Sequence, residues 1–354
     1  MDRSDLSGAA RRWLPGLIRR SLLSLACLLS LAFLLPAAHG SEITGAGSTF
    51  VYPVLAKWAA SYYSKTGKAV DYQPIGSGGG IQQVKAGSVT FGATDMPLRP
   101  EELHSAGLAQ FPLVVGGVVP VVNLDGIQPG QLHLTGPLLA RIYLGTISNW
   151  NDPAIAADNP GLVLPDRKIV VVHRSDLSGT TFNWTDYLSK VSDGWQRQVG
   201  AGTTVRWPVG FGASGSDGVS LYIRNVKGAI GYVELTYALQ RKLAYAAVRN
   251  QAGVFVQPTW DSFSAAVASA QWTPQQDFYQ VITNASGDKA WPITGVVYVL
   301  MQRRGKSAGD ARDALAFFRW VLQEGQADAD REHYVALPEP LVRQVEGYWS
   351  EAFR

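Results

Sequence analysis

The segment Val114–Val122 is an unbroken apolar run dominated by β-branched residues, with no polar side chain to place on a wet face. A strand of that kind must be covered on both sides, so its sheet has to be sandwiched by other layers. Similar runs follow at Ile169–Val172 and Val296–Met301, and shorter strand-like stretches stand at Ser41–Gly45, Ala69–Ile75 and Val89–Ala93. Between them, helical stretches are predicted over Tyr52–Lys65, Ile81–Ala86, Thr181–Leu188 and Asp310–Gln323. The alternation predicts an α/β architecture with mostly parallel sheets. One covered sheet is hard to extend over so long a chain, so two lobes are expected. The strand and helix late in the chain could return to pack on the first lobe, leaving it discontinuous in sequence.

Residues 1–40 read as an export signal. Arg11, Arg12, Arg19 and Arg20 precede the apolar stretch Leu22–Leu35, and Ala38 and Gly40 set small residues before Ser41. The alternative is a membrane anchor, but the uncharged run Ser21–Ala38 is 18 residues long and contains Pro36. A spanning helix usually needs roughly 20. Cleavage is expected after Gly40. Cys27, the only cysteine, lies in this leader, and Ser24-Leu25-Ala26-Cys27 only partly matches a lipoprotein processing site. The mature chain would then have neither disulfides nor thiolate chemistry. Removing the leader's five arginines and two aspartates from the 31 basic and 28 acidic side chains leaves 26 of each. A formally neutral body lacks the basic stripe that nucleic-acid binding requires, so no nucleic-acid partner is expected.

Motifs of common catalytic classes are missing. Gly67-Lys68 is followed by Ala69 rather than a P-loop hydroxyl, and Gly45-Ala46-Gly47 has Phe50 where a dinucleotide fingerprint needs glycine. Gly212-Ala213-Ser214-Gly215-Ser216 does not fit a nucleophile elbow. His104, His133, His173 and His333 are scattered, without metal-ligand spacing. What recurs is a glycine- and hydroxyl-rich link from strand to helix, at Thr44–Phe50, Gly76–Gly80 and Arg174–Thr181. Each puts unpaired helix-start amides beside hydroxyls, at the positive end of the helix dipole, which is a cradle for an anion. Simple N-capping by Ser or Thr is the alternative for any one of them.

Four blocks in particular, Thr44–Phe50, Ile75–Gly80, Phe91–Leu98 and Arg174–Thr180, closely resemble the periplasmic phosphate-binding proteins of bacterial high-affinity phosphate ABC transporters. Further agreement comes at Ile142–Gly145, Gly228–Glu234 and Ala290–Thr294, so the likeness spans residues 42–350. The resemblance implies a two-lobed α/β periplasmic binding protein, type II-like, whose two crossover strands form a hinge near Val114–Val118 and Trp291–Gly295. Lobe one would be 41–115 plus 294–354, and lobe two 116–293.

The resemblance also implies a site. Thr49 and Phe50 would give backbone amides, with the Thr49 hydroxyl adding a bond, and Ser77 would give hydroxyl and amide. Asp95 would accept a proton from the ligand. Arg174 would donate two N–H groups and be held by Asp176, while Ser178, Gly179 and Thr180 would supply hydroxyls and amides. Ser48, Leu177 and Gly78 depart from the residues common in that family, without removing a donor.

Such a set favours phosphate for a chemical reason. Near neutral pH phosphate keeps at least one proton, whereas sulfate has none. An ionised carboxylate can only accept hydrogen bonds, so Asp95 suits a P–OH and repels a bare oxygen. A penalty of ~3–4 kcal/mol corresponds to discrimination on the order of a hundred- to thousand-fold. Arsenate shares phosphate's shape and protonation and would not be excluded. The implied protein is a non-catalytic periplasmic monomer without cofactor or metal. It would deliver inorganic phosphate to the permease subunits, and their ATPase, of an ABC transporter in the inner membrane. A secreted phosphate-ester hydrolase, or a sensor or scavenger on the same fold, are the competing readings.

Overall fold

The computed structural model describes residues 43–304 and 308–353. The expected leader and its cleavage point lie outside them. The strands are β1 (Ile43–Gly47), β2 (Val70–Gln73), β3 (Phe91–Thr94), β4 (Leu108–Val122), β5 (His133–Leu134) and β6 (Val170–Arg174). There follow β7 (Phe211–Ala213), β8 (Ala229–Glu234), β9 (Ala244–Tyr245), β10 (Ala247–Arg249), β11 (Phe255–Val256) and β12 (Thr294–Gln302). The main sheet runs β2-β1-β3-β12-β4-β8-β6-β7, with β9 added along β4, and β11-β10-β5 form a separate small sheet.

The apolar run at Val114–Val122 is the second part of β4, a strand whose 15 residues are all buried. From Leu108 to Gly117 this strand pairs antiparallel with β12, and from Val118 to Val122 it pairs antiparallel with β8. One continuous strand therefore belongs to two half-sheets. The second passage between them lies beside the first: Val118 N donates to Ile293 O at 2.9 Å. Trp291 Nε1 in turn donates to Val118 O at 3.0 Å.

The expectation of mostly parallel sheets is corrected. β1 is parallel to β2 and β3, and β6 to β7 and β8, but β4 and β12 run against their neighbours in the main sheet. Continuous apolar character reports burial on both faces and carries no information on direction.

Aromatic packing fixes both halves. Phe318, on the helix Ala308–Gln323, meets Phe91 of β3 edge-on at 4.9 Å and Phe111 of β4 at 5.6 Å. Trp349, on the helix Glu339–Ala352, closes on Phe111 at 5.0 Å. The chain's last helices thus return to the half-sheet its first strands build. In the other half Trp184 stacks on Tyr232 at 4.9 Å. The helix expected from Ile81 starts four residues earlier, spanning Ser77–Ala86. Its glycines lower helix propensity but permit close packing, since a Cβ on Gly80 would sit 2.4 Å from Ala46 O of β1.

Candidate functional site

Four strand-to-helix junctions meet where the half-sheets adjoin. They precede the helices Tyr52–Thr66, Ser77–Ala86, Gly179–Val191 and Gly215–Asn225. The Thr49 and Ser216 hydroxyls lie 2.9 Å apart. Ser77 Oγ accepts from Asp95 N at 3.3 Å and from Gly179 N at 3.1 Å. Gly78 N donates to Leu177 O at 2.9 Å. Glycine is needed for this approach: a Cβ at Gly76, whose φ is +87°, would fall 2.5 Å from Asp176 Oδ2. All the residues expected at the site are thereby brought into one buried cluster, with Asp176 at its more accessible edge.

Arg174 ends β6 and sends a fork of N–H groups onto Asp176, Nε to Oδ1 at 2.8 Å and Nη2 to Oδ2 at 2.5 Å. The remaining nitrogen, Nη1, points to Ser216 Oγ at 3.1 Å and Thr180 Oγ1 at 3.4 Å. Gly215 N donates to Asp176 Oδ1 at 3.0 Å, so the carboxylate is held from two sides. Burial opposes the charge on both partners, yet the ion pair wins: the Arg174 pKa is raised and the Asp176 pKa lowered. Core packing reaches the site through Tyr232, whose hydroxyl accepts from Arg174 N at 3.1 Å and pairs with Thr181 Oγ1 at 2.7 Å.

Asp95 follows β3 and is almost wholly buried. Ser48 Oγ donates to its Oδ1, and Thr180 Oγ1 lies 3.3 Å from its Oδ2. Burial pushes the Asp95 carboxyl up to about 7; the Ser48 bond, the Arg174 charge and the Thr180 bond pull it down, and Glu234 adds to the rise. Phe50 N donates to Ser48 Oγ at 3.0 Å. Ser178 N is taken by Thr203 O at 2.9 Å, while the Ser178 hydroxyl caps its helix by accepting from Thr181 N at 3.1 Å. The Ser178 hydroxyl proton remains the group it can offer a ligand.

Three residues were not among those the sequence pointed to. Ser216 belongs to a fourth glycine- and serine-rich junction, dismissed above as a failed nucleophile elbow. Glu234 ends β8 fully buried, with Oε1 2.7 Å from Thr180 Oγ1 and Oε2 without a hydrogen-bond partner among the described residues. Burial raises its pKa as well. Ser48 was noted only as a departure. One guanidinium thus faces three carboxyl groups across a shell of hydroxyls and amides. Among the described residues no group of three or more His, Cys, Asp or Glu could hold a metal ion.

Two half-sheets sharing a strand, with convergent oxyanion donors where they meet, define a two-lobed α/β solute-binding protein of the periplasmic class. The PBP superfamily domain matches residues 36–324. The chain is 55% identical over 313 residues to the phosphate-binding protein PstS of Xylella fastidiosa strain 9a5c, covering 88% of this chain and 86% of that one. Against the phosphate-binding protein PstS of Haemophilus influenzae it is 48% identical over 316 residues, covering 89% and 95%. The high affinity periplasmic phosphate-binding protein PfluDING, solved with phosphate, shares the fold at TM-score 0.70 and 20% identity, covering 86% and 93%. The phosphate binding protein of Stenotrophomonas maltophilia does so at TM-score 0.63 and 17% identity, covering 87% and 93%. The chain belongs to the PstS family of phosphate-binding proteins.

Proposed function

We propose that this protein captures inorganic phosphate between its two lobes in the periplasm and delivers it to the permease subunits of an ABC transporter. The observation that carries the reading is a buried acceptor, Asp95, set among hydroxyl and amide donors beside an Asp176-held Arg174. Arg174, Ser178, Gly179 and Thr180 neutralise and orient the anion from one side; Thr49 and Ser77 do so from the other, with Phe50 beside them, its amide serving Ser48 Oγ. Asp95 takes the ligand's remaining proton as a P–OH hydrogen bond. A fully ionised tetrahedral anion meets it with an unpaired lone-pair contact and is rejected.

Lobe one comprises 41–115 plus 294–354, and lobe two 116–293. The change of β4 partner from β12 to β8 between Gly117 and Val118 supports that division. A ligand that needs both sets of donors favours closure of the hinge. On this reading the protein is a monomer, and it binds phosphate without transforming it: the site's hydroxyls, carboxylates and guanidinium are spent on one another and on the anion. Removal of residues 1–40 frees the chain into the periplasm.

Titration calorimetry on protein stripped of anion by unfolding and refolding tests the reading. One phosphate bound tightly per chain is expected, with no turnover of an aryl phosphate ester. Refolded protein that takes up no phosphate would overturn it.

A further inference from the structure

Asp95 Oδ1 and Oδ2 are not served by the same kind of donor. Thr180 shares its single hydroxyl proton between Asp95 Oδ2 and Glu234 Oε1, at 3.3 and 2.7 Å, so Oδ2 has no committed donor. Oδ1 has one. The Ser48 oxygen accepts the Phe50 amide at 3.0 Å, which orients the hydroxyl, and its proton is directed onto Oδ1. Ser48 is 1% exposed, so water does not compete for that proton. Among the described residues no other hydroxyl or amide donates to Oδ1. Also acting on Asp95 are the charges of Arg174 from β6 and Glu234 from β8, the Tyr72 hydroxyl from β2, Ser77, which accepts the Asp95 amide, and Asn183, whose side-chain amide donates to the Asp95 carbonyl at 3.2 Å.

We propose that Ser48 is a specificity-determining residue: its hydroxyl holds one oxygen of Asp95 as an acceptor, and so sets how far down in pH the site goes on rejecting fully ionised oxyanions. The proposal rests on the phosphate reading above. An ionised Asp95 accepts P–OH and repels sulfate. Once protonated, the same carboxyl can donate to sulfate, and the distinction is lost. Burial favours the protonated form and the Ser48 bond favours the ionised one. Ser48 therefore acts through Asp95, as a positioning residue, and leaves Oδ2 to the ligand.

The test compares the full chain with Ser48→Ala and Ser48→Thr. Phosphate and sulfate affinities are measured from about pH 5.5 to about pH 8.5, across the range in which Asp95 changes charge. In the parent protein the preference for phosphate is expected to fall as the pH drops through about 7. In Ser48→Ala the same fall moves to higher pH by about one unit, so that preference on the slope is about ten-fold lower. Ser48→Thr, which keeps the hydroxyl, restores the parent profile. A purely structural role would weaken both anions at every pH without moving the profile. Superimposable profiles for parent and Ser48→Ala would overturn the proposal while leaving phosphate binding intact. A parent protein that binds no phosphate at the highest pH would overturn both.

Discussion

A methyl group at position 179 would project into the contact between the two proposed lobes. Its Cβ would lie 2.5 Å from Ser77 Oγ, 2.7 Å from Asp95 Oδ2 and 2.8 Å from Asp95 Cβ, where ordinary contacts begin at 3.4 Å. Relieving the overlap requires a retreat of about 0.9 Å, and opening the cleft is the softest way to achieve it. That retreat stretches the Gly179 N to Ser77 Oγ bond from 3.1 Å, and the Thr180 to Asp95 contact from 3.3 Å, beyond hydrogen-bonding range. A ligand needing both faces loses comparable bonds, roughly 3 kcal/mol for one neutral and one charged interaction. Gly179→Ala is therefore expected to weaken phosphate binding on the order of a hundred-fold. Gly179 is the first residue of its helix, so the helix itself tolerates alanine, and the loss of thermal stability should stay within about 3 kcal/mol, the worth of the same two bonds. Calorimetric titration beside a thermal melt reads both quantities. Parent-like affinity in a folded Gly179→Ala protein would refute the idea that the ligand is held across this contact.

Two further outcomes follow from the charges. Asp95 has its pKa raised by burial to about 7 in the folded protein, above the 3.8 of an unfolded chain. Its stabilising contribution is therefore complete below the unfolded value and is lost as pH rises through about 7. Stripped Asp95→Asn protein should melt above the parent at mildly alkaline pH, with the two curves converging as the pH falls toward the unfolded value; a constant gap would contradict the assignment. Arg174→Lys keeps the charge but loses the planar fork that grips Asp176 while presenting Nη1 to the site. Phosphate affinity should fall by about a hundred-fold or more, and titration showing less than a ten-fold loss would mean that charge alone suffices.

The apolar half of β4 was legible because a strand covered on both faces has no choice of composition. Its first half was not, because Gln110 and Pro112 interrupt the run. Gln110 is tolerated in full burial since its side-chain amide accepts from Leu98 N at 2.8 Å and donates to Leu98 O at 3.2 Å and Asp277 O at 3.0 Å. Those partners are set by the fold and leave no trace near residue 110. Three of the four site junctions could be read from glycine and hydroxyl content after an apolar strand. The fourth follows β7, where Phe211 is 58% exposed, so no apolar run drew attention to Ser214–Ser216. Glu234 ends a buried strand, and its charged partner Arg174 is sixty residues away in sequence. Strand direction was likewise unreadable, since β12 returns antiparallel to β4 from far along the chain.

In the proposed function Asp95 is the group that tells phosphate from other tetrahedral anions. The direct measurement is competition between phosphate and sulfate for anion-free protein at mildly alkaline pH, in the parent and in Asp95→Asn. The parent should prefer phosphate by a hundred-fold or more, on the order of 3 kcal/mol, and the variant should lose most of that preference by admitting sulfate. Sulfate bound as tightly as phosphate by the parent, or an unchanged preference in the variant, would contradict the role proposed for Asp95.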